Sequence, residues 1–94
     1  MENNIVTFCR ALNECFKNIF FCLKKIEKFS DYNKYYFYAK NYDSDNKHFQ
    51  ELFNGIDCLN YWSQKGTEYY MVVTIQDEDF NAVIGYLLLN KNKY

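Results

Sequence analysis

The stretch MENNIVTFCRALNECFKNIFFCLKKIEKFS (residues 1–30) decides how the rest of the chain is read. Ile5, Phe8, Leu12, Cys15, Ile19, Cys22, Ile26 and Phe29 recur at alternating spacings of three and four, and Cys9, Phe16 and Leu23 widen the same stripe. That periodicity predicts one long amphipathic helix with about three apolar positions in seven. At ~1.5 Å per residue, about 26 residues would span ~39 Å, and the remaining chain would pack against that rod. Asn3 or Asn4 would cap its start, and Lys24, Lys25 and Lys28 would sit in its last turns, where positive charge is favourable. Ser30-Asp31-Tyr32-Asn33 reads as the turn that ends it.

Downstream, the residue spacing switches to a period of two. Residues 34–42 (KYYFYAKNY) predict a strand with Tyr35, Phe37 and Ala39 on one face and Tyr36, Tyr38 and Lys40 on the other. Rings on both faces suit a central strand, or one face used for recognition. Asp43-Ser44-Asp45 offers N-caps for a second helix from about residue 46. Phe49, Leu52, Phe53, Ile56, Leu59 and Trp62 keep helical spacing, and Lys65-Gly66 makes a stop. Asn54-Gly55, a strong turn pair, permits a different reading, in which the helix ends there and residues 58–62 form a strand hairpinned to the next one. The helix to residue 64 is the preferred reading of the two. Residues 68–76 (EYYMVVTIQ) are the clearest strand. Asp77-Glu78-Asp79 then caps a third helix with Phe80, Val83, Ile84, Leu87 and Leu88 as its stripe, followed by a polar, frayed tail at 90–94.

The fold expected is therefore a single small α+β domain over residues 1–94. A long N-terminal amphipathic helix and two further helices would pack on a two- or three-stranded sheet, in the order α-β-α-β-α or α-β-α-β-β-α. Two strands joined by a helical crossover would run parallel. Two strands alone make a meagre sheet, so a third strand or a second chain would complete the edge.

Composition narrows the class. The chain has 94 residues, enough for one core, with ten Tyr, nine Phe and one Trp. So many rings cannot all be interior, which predicts a surface rich in Tyr. Twelve Asn and ten Lys against one Arg and no Pro suggest an AT-rich gene, as in phages or mobile elements. Met1-Glu2-Asn3-Asn4 lacks the basic region of a signal peptide, and no apolar run approaches a membrane span. The expectation is a cytoplasmic protein with reduced thiols.

Candidate chemistry is sparse. Cys15 and Cys22, seven residues apart on one helix, would lie roughly 10 Å apart, too far to share a zinc ion, so the cysteines read as core residues. Cys58 and the single His48 would be ~15 Å apart on a continuous helix, beyond proton transfer. No phosphate-binding loop or nucleophile elbow occurs. The lysines of residues 17–34 lack arginine and sit in a chain of net charge −1, which argues against nucleic acid. No cofactor, metal or catalytic residue is assigned.

The charge distribution is more informative. Residues 1–40 carry +3, residues 41–90 carry −6 and the last four carry +2. Were the two strands parallel, Asp43, Asp45, Asp77, Glu78 and Asp79 would emerge at one sheet edge as a patch of carboxylates. Helix capping is the plain explanation of those acids. The functional reading is a patch that, with Tyr36, Tyr38 and Tyr70, docks a protein of basic surface. The expected function is a small inhibitor that neutralises a partner by stoichiometric binding, such as a toxin-immunity protein or a phage anti-defence protein. The alternatives are a metal-dependent enzyme using Asp43, Asp45, Asp77 and Asp79, or a structural oligomer, a homodimer among them, joined through the first helix or the sheet edge.

Overall fold

The computed structural model describes residues 4–16, 19–40, 51–52, 54, 59–66, 68–91 and 93. The N-terminal stretch is two elements. Helix α1 (Asn4–Cys15) stops after 12 residues, and strand β1 (Phe20–Lys28) follows. The long rod is thereby corrected: at ~39 Å it would exceed the molecule's longest extent of 34 Å. In α1, Phe8, Ala11, Leu12 and Cys15 are buried at the three-four spacing of a true helical stripe. In β1 the spacing comes from a strand with an irregularity. Phe21 and Leu23 alternate towards the core, and a β-bulge between Leu23 and Lys25 inserts one residue. Ile26 therefore follows Leu23 by three and still packs against the core. A bulged strand thus carries a helix-like period.

Strand β2 (Tyr32–Lys40) pairs with β1 through a tight turn in which Phe29 N–H donates to the Tyr32 carbonyl at 2.9 Å. The turn falls where the sequence places one, but it joins two strands. Tyr35, Phe37 and Ala39 are buried, as their alternation predicts. Glu51, Leu52 and Asn54 are helical, and Leu52 is fully buried in the core. Strand β3 (Leu59–Lys65) runs where the preferred sequence reading continues a helix, so the hairpin alternative holds there. It turns at Gly66, whose φ of +65° is a left-handed conformation suited to glycine, into β4 (Glu68–Gln76).

A 3₁₀ turn at Asp77–Asp79 leads into helix α2 (Phe80–Leu89), where Val83, Ile84 and Leu87 are buried. Asp79 occupies the N-cap position without a capping side-chain hydrogen bond, so the acids lead into the helix without capping it in that manner. The expected frayed tail is partly tied down. Asn90 is buried with Nδ2 donating to the Tyr86 carbonyl at 2.8 Å, and Lys91 pairs with Glu14 at 3.5 Å.

The four strands form one sheet in the order β1-β2-β4-β3, every neighbouring pair antiparallel. The parallel crossover expected from the sequence does not occur: β2 and β4 are adjacent and opposed, with Tyr32 opposite Gln76 and Ala39 opposite Tyr69. The helices supply the second layer of this α+β domain. Phe8 of α1 meets Tyr35, Phe37 and Phe80 edge-on at ring distances of 5.3, 5.8 and 5.7 Å. Cys15 Sγ donates to the Leu87 carbonyl at 3.2 Å, joining the two helices.

Candidate interaction face

Alternation along three strands divides the sheet into a covered side and an open one. The core cluster takes Phe21, Tyr35, Phe37, Ala39, Met71, Val73 and Ile75 together with α1 and α2 residues. Strand register puts Tyr32, Lys34, Tyr36, Tyr38 and Lys40 of β2 on the other face, with Val72, Tyr70 and Thr74 of β4 beside them. From β1, Phe20, Cys22, Lys25 and Glu27 join the same side. Among the described residues no helix covers this face. Phe20 (52%) and Phe29 (41%) are exposed, and Tyr32, Tyr36, Tyr38 and Tyr70 are half-buried. Val72, opposite Tyr36, is itself buried and gives the face an apolar centre.

The side chains here hold one another. Tyr38 and Tyr70 meet across β2 and β4 at 5.6 Å between ring centroids. Phe29 and Tyr32 stack at 4.6 Å with planes 10° apart. Three ammonium groups lie over rings: Lys25 over Tyr36 at 4.8 Å, Lys24 over Tyr38 at 5.8 Å and Lys34 over Phe29 at 5.8 Å. The Tyr36 hydroxyl donates to Glu27 Oε1 at 2.7 Å while Lys25 Nζ stands 3.7 Å from Oε2. The hydrogen bond from Tyr36, helped by Lys25 and Lys34, holds the Glu27 carboxyl below its usual range. The Tyr70 hydroxyl donates to Glu68 Oε2 at 2.7 Å, and that bond to a carboxylate pushes the phenol up.

Of the residues singled out from sequence, Tyr36, Tyr38 and Tyr70 come together on this face. Asp77, Glu78 and Asp79 do not join them there; they form the turn at the end of β4. Asp43 and Asp45 lie outside the described residues, as do His48 and Cys58. Five acids would gather at one edge only if the strands ran parallel. With β2 and β4 antiparallel, the Lys40 end of β2 and the Gln76 end of β4 lie at opposite ends of the sheet. Asp77 instead meets the β1–β2 turn, its N–H donating to the Asp31 carbonyl at 2.9 Å, and Asn33 Nδ2 reaches Asp77 Oδ1 at 3.5 Å. Asp31, Tyr32, Gln76, Asp77 and Glu78 line a hollow of about 360 Å³. Among the described residues no three His, Cys, Asp or Glu side chains converge to hold a metal ion.

Sequence reasoning missed Phe29, Lys24 and Lys25 as members of the face because they were assigned to a helix, whereas Lys34 and Lys40 fall in the strand expected over residues 34–42. The alternation of Phe21 and Leu23 was the available signal. Cys15 and Cys22, placed on one helix by that reading, belong to α1 and β1. Cys15 is buried, and burial, with Glu14 nearby, pushes its thiol up to about 11. Burial also raises Cys9.

None of the family models, curated proteins or solved structures compared with this chain matches it. No helix among the described residues is long and apolar enough to cross a membrane.

Proposed function

We propose that the protein acts by stoichiometric binding to another protein, with the open sheet face as its contact surface. The observation that carries this reading is a sheet whose helices pack on one side, while the other side presents Tyr32, Tyr36, Tyr38 and Tyr70 half-exposed around a buried Val72. Tyrosine gives large contact area at small entropic cost and is enriched where interfaces concentrate their energy. A small cytoplasmic inhibitor, of the toxin-immunity or phage anti-defence kind, works by this sort of occupancy.

The test is affinity of the Tyr38→Ser/Tyr70→Ser double variant for the partner captured from the native host, beside Asn81→Ala on the exposed side of α2 as control. Loss of at least about tenfold in the double variant, with the control unchanged, is the expected result. Equal affinity of all three proteins would refute the reading.

A further inference from the structure

We propose that the surface received by the open face is acidic, a carboxylate-rich protein surface. This rests on the reading of that face as the contact surface and specifies the partner's chemistry. Lys24, Lys25, Lys34, Lys40 and Lys65 stand against Glu27 and Glu68, so this face carries +3 in a chain of net charge −1. The other described residues sum to −2, so among the described residues the positive charge is gathered on this face.

The two carboxylates are already engaged. Glu27 accepts from the Tyr36 hydroxyl and pairs with Lys25, and Glu68 accepts from the Tyr70 hydroxyl. Among the described residues, Lys24, Lys34 and Lys40 form no ion pair. Lys34 lies opposite Glu27 and helps hold that carboxyl below its usual range, and the Lys24 and Lys34 ammonium groups stand over the Tyr38 and Phe29 rings. Ammonium groups positioned before contact lose less freedom on binding, so a complementary carboxylate gains more from them.

A single-stranded nucleic acid is the competing anion, and the geometry disfavours it. Bases bind such surfaces by stacking on bare rings. Here ammonium groups stand over Tyr36, Tyr38 and Phe29, and Phe29 and Tyr32 stack on each other. Glu27 and Glu68 would repel a continuous phosphate backbone, whereas the separate carboxylates of a protein can be placed between them.

The experiment uses the full ¹⁵N-labelled chain titrated with poly-L-glutamate, poly-L-lysine and oligo-deoxythymidylate in turn. Poly-L-glutamate is expected to shift the amides of Lys24, Lys25, Lys34, Tyr36, Tyr38 and Tyr70. That binding should fade between about 10 and 200 mM salt as the screening length contracts. Lys24→Ala/Lys34→Ala is expected to weaken it at least tenfold with an otherwise unchanged amide spectrum, and Lys34→Ala alone gives the same direction if the double variant loses its fold. No shift on this face with poly-L-glutamate, stronger binding of the oligonucleotide there, or poly-L-lysine acting on these amides would each overturn the proposal. If the tyrosine variant loses its captured partner while poly-L-glutamate leaves the face unmoved, only the acidic chemistry fails. If poly-L-glutamate acts here but the tyrosine variant keeps its partner, the assignment of the contact surface fails instead.

Discussion

The carboxamide of Asn13 closes on both backbone groups of Phe21. Its Oδ1 accepts the Phe21 N–H at 2.7 Å and its Nδ2 donates to the Phe21 carbonyl at 3.1 Å, while also reaching the Cys9 carbonyl at 3.1 Å. One helical side chain therefore completes the hydrogen bonding of an edge strand and fixes where β1 lies against α1. In Asn13→Ala both groups of Phe21 lose that partner next to the core. A loss of about 1–3 kcal/mol is expected, measured as a lower urea midpoint at unchanged m-value.

The thiol of Cys15 donates to the carbonyls of Ala11 and Leu87 and titrates near 11. Because the thiolate is the reactive form, Cys15 is expected to escape a thiol reagent in the native protein at about pH 8 and to react only on unfolding. Peptide mapping by mass spectrometry after native and denatured labelling checks this. Modification of Cys15 in the native fold would contradict its placement between the helices.

Glu27 sets a pH dependence of definite sign. Its carboxyl titrates lower in the folded protein, chiefly because the Tyr36 hydroxyl donates to it. The unfolded chain then binds more protons through the acid range, so the stabilisation is present above the unfolded carboxyl value and is lost as pH falls through the folded one. Comparing urea midpoints of the natural protein and Glu27→Gln from about pH 7 to about pH 3, the gap between them is expected to close towards acid.

Gly66 turns the β3–β4 hairpin with φ at +65°, and a Cβ there would meet open space. The cost of a side chain is therefore conformational, with no clash to add to it. Gly66→Ala is expected to lose about 1 kcal/mol, and Gly66→Asn less, since Asn tolerates this region better. Thermal melts of the two variants compare them directly.

The sequence was legible wherever one period ran without interruption. Alternation in β2 identified the strand and its buried face, Phe37 among it, residues 68–76 were identified as a strand, and the stripe of α2 identified Val83, Ile84 and Leu87 as buried, although Leu88 of that stripe is exposed. Residues 16–29 misled because Phe16, Ile19, Leu23 and Ile26 unite a helix exit, a loop and a bulged strand into helical spacing. The bulge is a local backbone event with no residue type of its own, and the Asn13 clamp that helps hold β1 is a contact eight residues away. Residues 59–64 misled differently, because Leu59 and Trp62 extend the helical spacing of the preceding segment. Of the site, the tyrosines were visible from their alternation. Lys24 and Lys25 were hidden by the helix assignment of β1, Lys40 was placed beside Tyr36 and Tyr38 by the alternation of β2, and the parallel strands from which the gathering of acids was inferred do not occur.

The strand order has a kinetic consequence. β1 with β2, and β3 with β4, are each joined by a short turn, so each hairpin can form within microseconds of local search. The seam between β2 and β4 joins Tyr36 to Val72, partners far apart along the chain, and must close a long loop before it gains any contact. Closure of the central seam, through the middle of the open sheet face, is therefore expected to limit the refolding rate, since neither two-stranded hairpin is stable alone.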